Sequence, residues 1–84
     1  MNKHILLVMK WLNNKDSVSQ GELEKNRCGA SRTHWAAHDV YAVYAVYASS
    51  YAADSDAYSS ANWVDAYFEI TGEDKGEYLK ESNK

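Results

Sequence analysis

HDVYAVYAVYASSYAADSDAYSS, residues 38–60, sets tyrosines between alanines and valines and contains neither proline nor glycine. These breakers are absent from residues 32–70 as a whole, where alanine, the strongest helix former, is the commonest residue. This composition predicts one long helix over about residues 32–70, roughly 57 Å in length at 1.5 Å per residue. A bend is expected near Asp54–Ser60, because aspartate and serine side chains compete for backbone hydrogen bonds.

A β-strand is the alternative interpretation of the same stretch, because valine and tyrosine both favour strands. Alternation argues against it, since residues 40–48 would present the same mixture of valine, tyrosine and alanine on both faces. No turn residue interrupts the run either. The sequence therefore favours a helix.

Two short helices are predicted before the long one. Residues 5–12 place apolar side chains three and four positions apart, which is typical of a helix with one broad buried face. Ser19 and Glu22 have the spacing of a capping box, and they predict a second helix over about residues 20–26. Asn26 to Gly29 are expected to end that helix.

The C-terminal end of the chain predicts one more short helix. Gly72 is expected to terminate the long helix, and Thr71 can cap the short helix that follows. The predicted fold is therefore all-α, as a single small helical domain over residues 1–84. A chain of this length buries little surface and often gains stability from a partner.

The tyrosines form a stripe when the long helix is drawn as a wheel. At about 100° per residue, five tyrosines between residues 41 and 58 fall within about one third of the circumference. Tyrosine is enriched at binding surfaces, and two short helices cannot cover a helix of this length. We therefore expect a partner to bind seven aromatic residues: Tyr41, Tyr44, Tyr47, Tyr51, Tyr58, Trp63 and Tyr67.

Burial in the chain's own core is the alternative role for these rings. A neighbouring stripe of small residues, with Ala45, Ala48 and Ala52 at its centre, would let a second helix approach closely. That feature predicts self-association, so a homo-oligomer is the second hypothesis for the chain.

Charge is distributed unevenly along the sequence. Residues 1–32 carry six lysines and arginines against three acids, whereas residues 33–70 carry five acids and no lysine or arginine. Nucleic-acid binding by the basic third is disfavoured, because acids interleave with its cations. Mimicry of DNA by the long helix is also disfavoured, because one carboxylate per ~11 Å is far sparser than one phosphate per ~1.7 Å.

No residue pattern supports catalysis, a cofactor or a metal ion. Cys28 is the single cysteine, so an internal disulfide is excluded, and no partner residues complete a nucleophilic site around it. His34 and His38 lie four residues apart, but two ligands make a weak metal site. No apolar run is long enough for a membrane span or a signal peptide, so we expect a cytoplasmic protein that does not bind membranes.

Two flanking segments resemble a known group of proteins. LLVMKWLNNKDSVSQGELEKN (residues 6–26) and WVDAYFEITGEDKGEYLKE (residues 63–81), on either side of an Ala/Tyr-rich tract, are similar to small accessory proteins of T-even-type tailed bacteriophages. This resemblance implies an early, non-essential phage protein that binds a host bacterial protein and redirects it or blunts host defence. It also implies the cytoplasm of an infected bacterium, and it supplies no catalytic residue.

Overall fold

A computed structural model describes residues 1–37 and 40–84, and all regular structure within these ranges is helical. The all-α prediction is confirmed, but the predicted helix bounds are not. The helices are α1 (Lys3–Asn13), a 3-10 turn (Lys15–Ser17), α2 (Gln20–Ala37), α3 (Ala42–Ala53), α4 (Ala57–Thr71) and α5 (Lys75–Ser82).

The prediction of a single long helix over residues 32–70 is wrong. Its predicted span covers the end of α2, all of α3 and nearly all of α4. Residues 40–41, just before α3, form a turn, and the predicted positions His38 and Asp39 lie outside the described residues. The break between α3 and α4 is at residues 54–56, inside the segment where a bend was expected.

Local hydrogen bonds explain the break at residues 54–56. Ser55 adopts the left-handed conformation with φ of 63°, and its N–H donates to the carbonyl of Ala52 over 3.0 Å. The N–H of Asp56 donates to the carbonyl of Tyr51 over 2.9 Å, which completes a Schellman motif. The Asp56 side chain then accepts from the N–H of Ser59 over 3.0 Å and caps α4. This bond lowers the pKa of Asp56.

Helix α2 extends to Ala37, eleven residues beyond its predicted end at Asn26. Its start is as predicted, because the Ser19 hydroxyl and the Glu22 carboxylate bond reciprocally to each other's backbone N–H. Asn26 does not end the helix, since its side chain donates to Ser49 Oγ over 3.0 Å. Gly29 does not end it either. Its missing side chain admits the His4 ring, which a Cβ would meet at 2.9 Å.

Helix α1 forms the centre of the core. Ile5 and Val8 are fully buried, and α1 contacts each of the other four α-helices. Helix α3 packs along both α2 and α4 and also contacts α1. The described structure measures 32 Å in its longest dimension, so the Ala/Tyr-rich tract folds back on itself.

The stripe of small residues lies inside this core. Ala45, Ala48 and Ala52 are at most 2% exposed, where α3 packs against its neighbours. The hydroxyl of Ser60 on α4 donates to the carbonyl of Ala48 over 2.8 Å, so the two helices approach closely at this point. The close approach expected between two chains occurs within one chain, and this stripe cannot serve as a seam between copies without unfolding.

Candidate functional site

One side of α3 remains open to solvent although its other side is buried. Tyr47 lies about 200° around the helix from the buried Ala45, at roughly 100° per residue. The Tyr47 residue is 44% exposed. The sequence AVYAVYASSYAA of α3 contains no charged residue, so its solvent-facing side is as uncharged as its buried side.

Trp63 on α4 holds two tyrosines of α3. Its ring stacks on that of Tyr47, with centroids 4.6 Å apart and planes at 29°. The ring of Tyr44 lies tilted against it at 5.7 Å. Such ring pairs contribute about 0.5–1.5 kcal/mol each beyond the area they bury. Tyr51, which is also partly buried, follows Tyr44 by two helical turns on the same side of α3.

We call Tyr44, Tyr47, Tyr51 and Trp63 the aromatic surface. Because the contacts between α3 and α4 fix the rings of Tyr44, Tyr47 and Trp63, contact with another molecule would order few additional torsions. Tyrosine hydroxyls can also form hydrogen bonds at the wet edge of a contact. The arrangement is thus suited to binding an apolar surface that carries some polar groups.

The remaining three predicted residues lie elsewhere. Tyr41 is 45% exposed in the turn before α3. Tyr58 is 79% exposed on α4, but it lies about 140° around that helix from Trp63. Tyr67 is only 3% exposed and belongs to the core, so its ring is not accessible to a partner.

Tyr67 instead joins a polar cluster that ties the two ends of the chain together. Its hydroxyl donates to one oxygen of the Glu73 carboxylate over 2.8 Å, and the hydroxyl of Tyr78 donates to the other oxygen. The Tyr78 hydroxyl also accepts from the backbone N–H of Asn2 over 2.6 Å. Burial is the main cause that raises the pKa of both tyrosines.

A second feature is an open groove of about 650 Å³ between α1 and α2. Lys3, Lys25 and Arg32 line it, and the thiol of Cys28 is exposed there. The buried His4 ring in its wall is hydrogen-bonded through Nδ1 to Asn26 Oδ1 over 2.9 Å. We call this feature the basic groove.

The predicted histidine pair is only partly described, because His38 lies outside the described residues. His34 lies against Trp35, with ring centroids 6.0 Å apart. Within residues 1–37 and 40–84, no three His, Cys, Asp or Glu side chains are grouped so that they could hold a metal ion. None of the helices in these ranges combines the length and apolar character needed to cross a membrane.

Comparisons of the chain with protein-family models, with curated proteins and with solved structures give no match.

Sequence reasoning missed two groupings. Trp63 contacts Tyr44 and Tyr47 only because the chain reverses between α3 and α4. The basic groove was missed because α2 was predicted to end too early. A wheel drawn over residues 20–37 places Lys25 and Arg32, seven positions apart, on one side.

Proposed function

We propose that this chain is a non-enzymatic interaction protein that binds another protein through the aromatic surface. The observation that carries the proposal is the stack of Tyr47 on Trp63, which holds an uncharged aromatic face partly in solvent. Tyrosine and tryptophan are enriched among the few residues that carry most of the binding energy of protein interfaces. A small domain with little buried surface also gains stability from such contacts.

The proposed partner is a host bacterial protein, and the proposed role is to inhibit or redirect it. This part of the proposal comes from the resemblance of residues 6–26 and 63–81 to phage accessory proteins. It carries with it the cytoplasm of an infected bacterium as the site of action.

The first test compares capture from bacterial lysate by the wild-type chain, Y47A and Y47F. We expect Y47A to lose the retained protein, with an affinity reduced on the order of 30-fold if Tyr47 is a hot spot worth about 2 kcal/mol. Y47F keeps the ring and should keep most of the binding. Circular dichroism of Y47A must show retained helicity, since this variant loses its stack on Trp63.

Y58A is the matched control. Tyr58 is more exposed than Tyr47, but it lies on a different side of α4 from Trp63 and so outside the aromatic surface. Light scattering over a range of concentrations tests the alternative that a second copy of the chain, and not another protein, binds the aromatic surface. A dimer that Y47A dissociates would make the aromatic surface a homo-oligomer contact. Equal capture and equal mass for wild type, Y47A and Y58A would contradict the proposal.

A further inference from the structure

The basic groove between α1 and α2 carries positive charge that the fold does not neutralise. Among the residues that the structure describes, Lys3, Lys25 and Arg32 take part in no ion pair. One carboxylate, that of Glu22, also lines the groove, and it is bonded to Ser19 as a helix cap. The formal charge of the residues that line the groove is therefore +2.

We propose that the basic groove binds a phosphate group. One phosphate or polyphosphate places two or more negative charges at one point, which matches three cations around one groove. A carboxylate brings a single charge and would leave the other cations unused. The guanidinium of Arg32 adds a planar fork of donors that fits phosphate oxygens in pairs.

Buried, fixed groups form the wall of the site. The His4 residue is 8% exposed, and its ring is bonded to Asn26 and lies within 3.5 Å of the Thr33 hydroxyl. Gly29 brings α2 close enough to α1 for these contacts. Because this wall does not depend on the cations, charge at the rim can be changed without loss of the fold.

The groove offers charge but no surface on which a base could stack. Of the described residues, no tryptophan, tyrosine or phenylalanine lines it. Recognition would therefore be of the phosphate itself, whether it belongs to a small molecule or to the backbone of a single strand of nucleic acid. This site is separate from the aromatic surface and does not rest on the function proposed above.

The test is an NMR titration of the full chain with tripolyphosphate at constant ionic strength. We expect saturable shifts of backbone amides confined to α1 and to residues 22–32 of α2. Iodoacetamide, which is uncharged, should modify Cys28 more slowly when the probe is bound, because the thiol lines the same groove. Shifts that are linear in concentration, or equally large at α5, would overturn the proposal.

Substitutions of single cations test whether the groove is the binding site. K25Q and R32Q should each weaken binding on the order of fivefold, the factor that corresponds to about 1 kcal/mol for an exposed charge pair. K80Q is the control, since Lys80 is an exposed cation of α5 outside the groove. Equal effects of K25Q, R32Q and K80Q would overturn the proposal.

A short oligodeoxythymidine distinguishes the two sources of phosphate. If it binds at the groove, the logarithm of its affinity should fall with the logarithm of salt concentration at a slope of about −2, as expected for three neutralised phosphates on a single strand. If only tripolyphosphate binds, the ligand is a phosphate-bearing small molecule. If neither probe binds, the proposal is wrong.

Discussion

At the scale of single residues, the two glycines of α2 have opposite roles. A Cβ at Gly29 would lie 2.9 Å from Cε1 of His4, whose ring cannot withdraw without losing its bond to Asn26. Overpacking of this kind costs about 1–3 kcal/mol, more than the gain of up to about 1 kcal/mol from replacing a helical glycine. We expect urea unfolding to show that G29A is less stable than wild type.

Gly21 is the matched control for this prediction. A Cβ at this position would lie 4.0 Å from its nearest neighbour, Ser19 Oγ, so a methyl group fits without displacement. G21A should be unchanged or more stable by up to about 1 kcal/mol. If G29A were stabilised as much as G21A, the close approach of α1 and α2 at His4 would not be a constraint.

Ser55 holds a conformation that suits glycine better than serine. The left-handed region costs a residue with a Cβ about 1–2 kcal/mol, and glycine recovers this at some cost in chain entropy. We therefore expect S55G to raise the free energy of unfolding by a few tenths to about 1 kcal/mol. S55A keeps the Cβ and should give no such gain in the same thermal or urea measurement.

At the scale of elements, the seam between α3 and α4 depends on small side chains. Ala48 is fully buried, and its carbonyl accepts from Ser60 on the facing helix. A48L would force the two helices apart, with an expected loss of about 1–3 kcal/mol. The same change at the exposed Ala36 of α2 should have little effect. Similar unfolding midpoints for A48L and A36L would show that the seam tolerates larger residues.

The same elements show how far sequence reasoning reached. The capping box at Ser19 and the break near Asp54 were predictable, because each depends on hydrogen bonds within a few residues of chain. Asn26 and Gly29 were wrongly predicted to end a helix, because their roles depend on His4 and Ser49, which are distant in sequence. Local hydrogen bonding could be predicted, whereas contacts across the core could not.

The aromatic surface was predicted in part for a related reason. A helical wheel predicts which residues share a side only within one continuous helix. Tyr44, Tyr47 and Tyr51 all belong to α3, so they lie on one side of it as expected. The break at residues 54–56 starts a new helix with its own phase. Tyr58 therefore lies on another exposed side of α4 and not in line with the tyrosines of α3, and Tyr67, which was expected to bind a partner, lies in the core.

At the scale of the whole molecule, the cluster of Tyr67, Tyr78 and Glu73 joins the N-terminus of α1 to the C-terminal segment. Its pKa shifts predict how stability depends on pH. Burial raises the pKa of Tyr67 and Tyr78 above the ordinary value of 10.0. Above pH 10 the unfolded chain therefore loses these protons before the folded chain does, so the free energy of unfolding falls as pH rises.

At pH values below the pKa of the tyrosines in the unfolded chain, the contribution of Tyr67 and Tyr78 to stability is fully present. It is lost as pH rises through their raised pKa values in the folded chain. Urea unfolding measured from about pH 8 to about pH 11 should show the decline for wild type. Y67F should be less stable near neutrality, because it loses the bond to Glu73, but its decline above pH 10 should be shallower.

All other ionisable side chains are common to wild type and Y67F, so their contributions cancel in the comparison of the two slopes. Y58F removes a hydroxyl from an exposed ring and should keep the wild-type slope. Parallel declines for wild type, Y67F and Y58F would mean that alkaline unfolding originates outside the cluster. A shallower decline for Y67F alone would show that the buried hydroxyl of Tyr67 contributes to the loss of stability at alkaline pH.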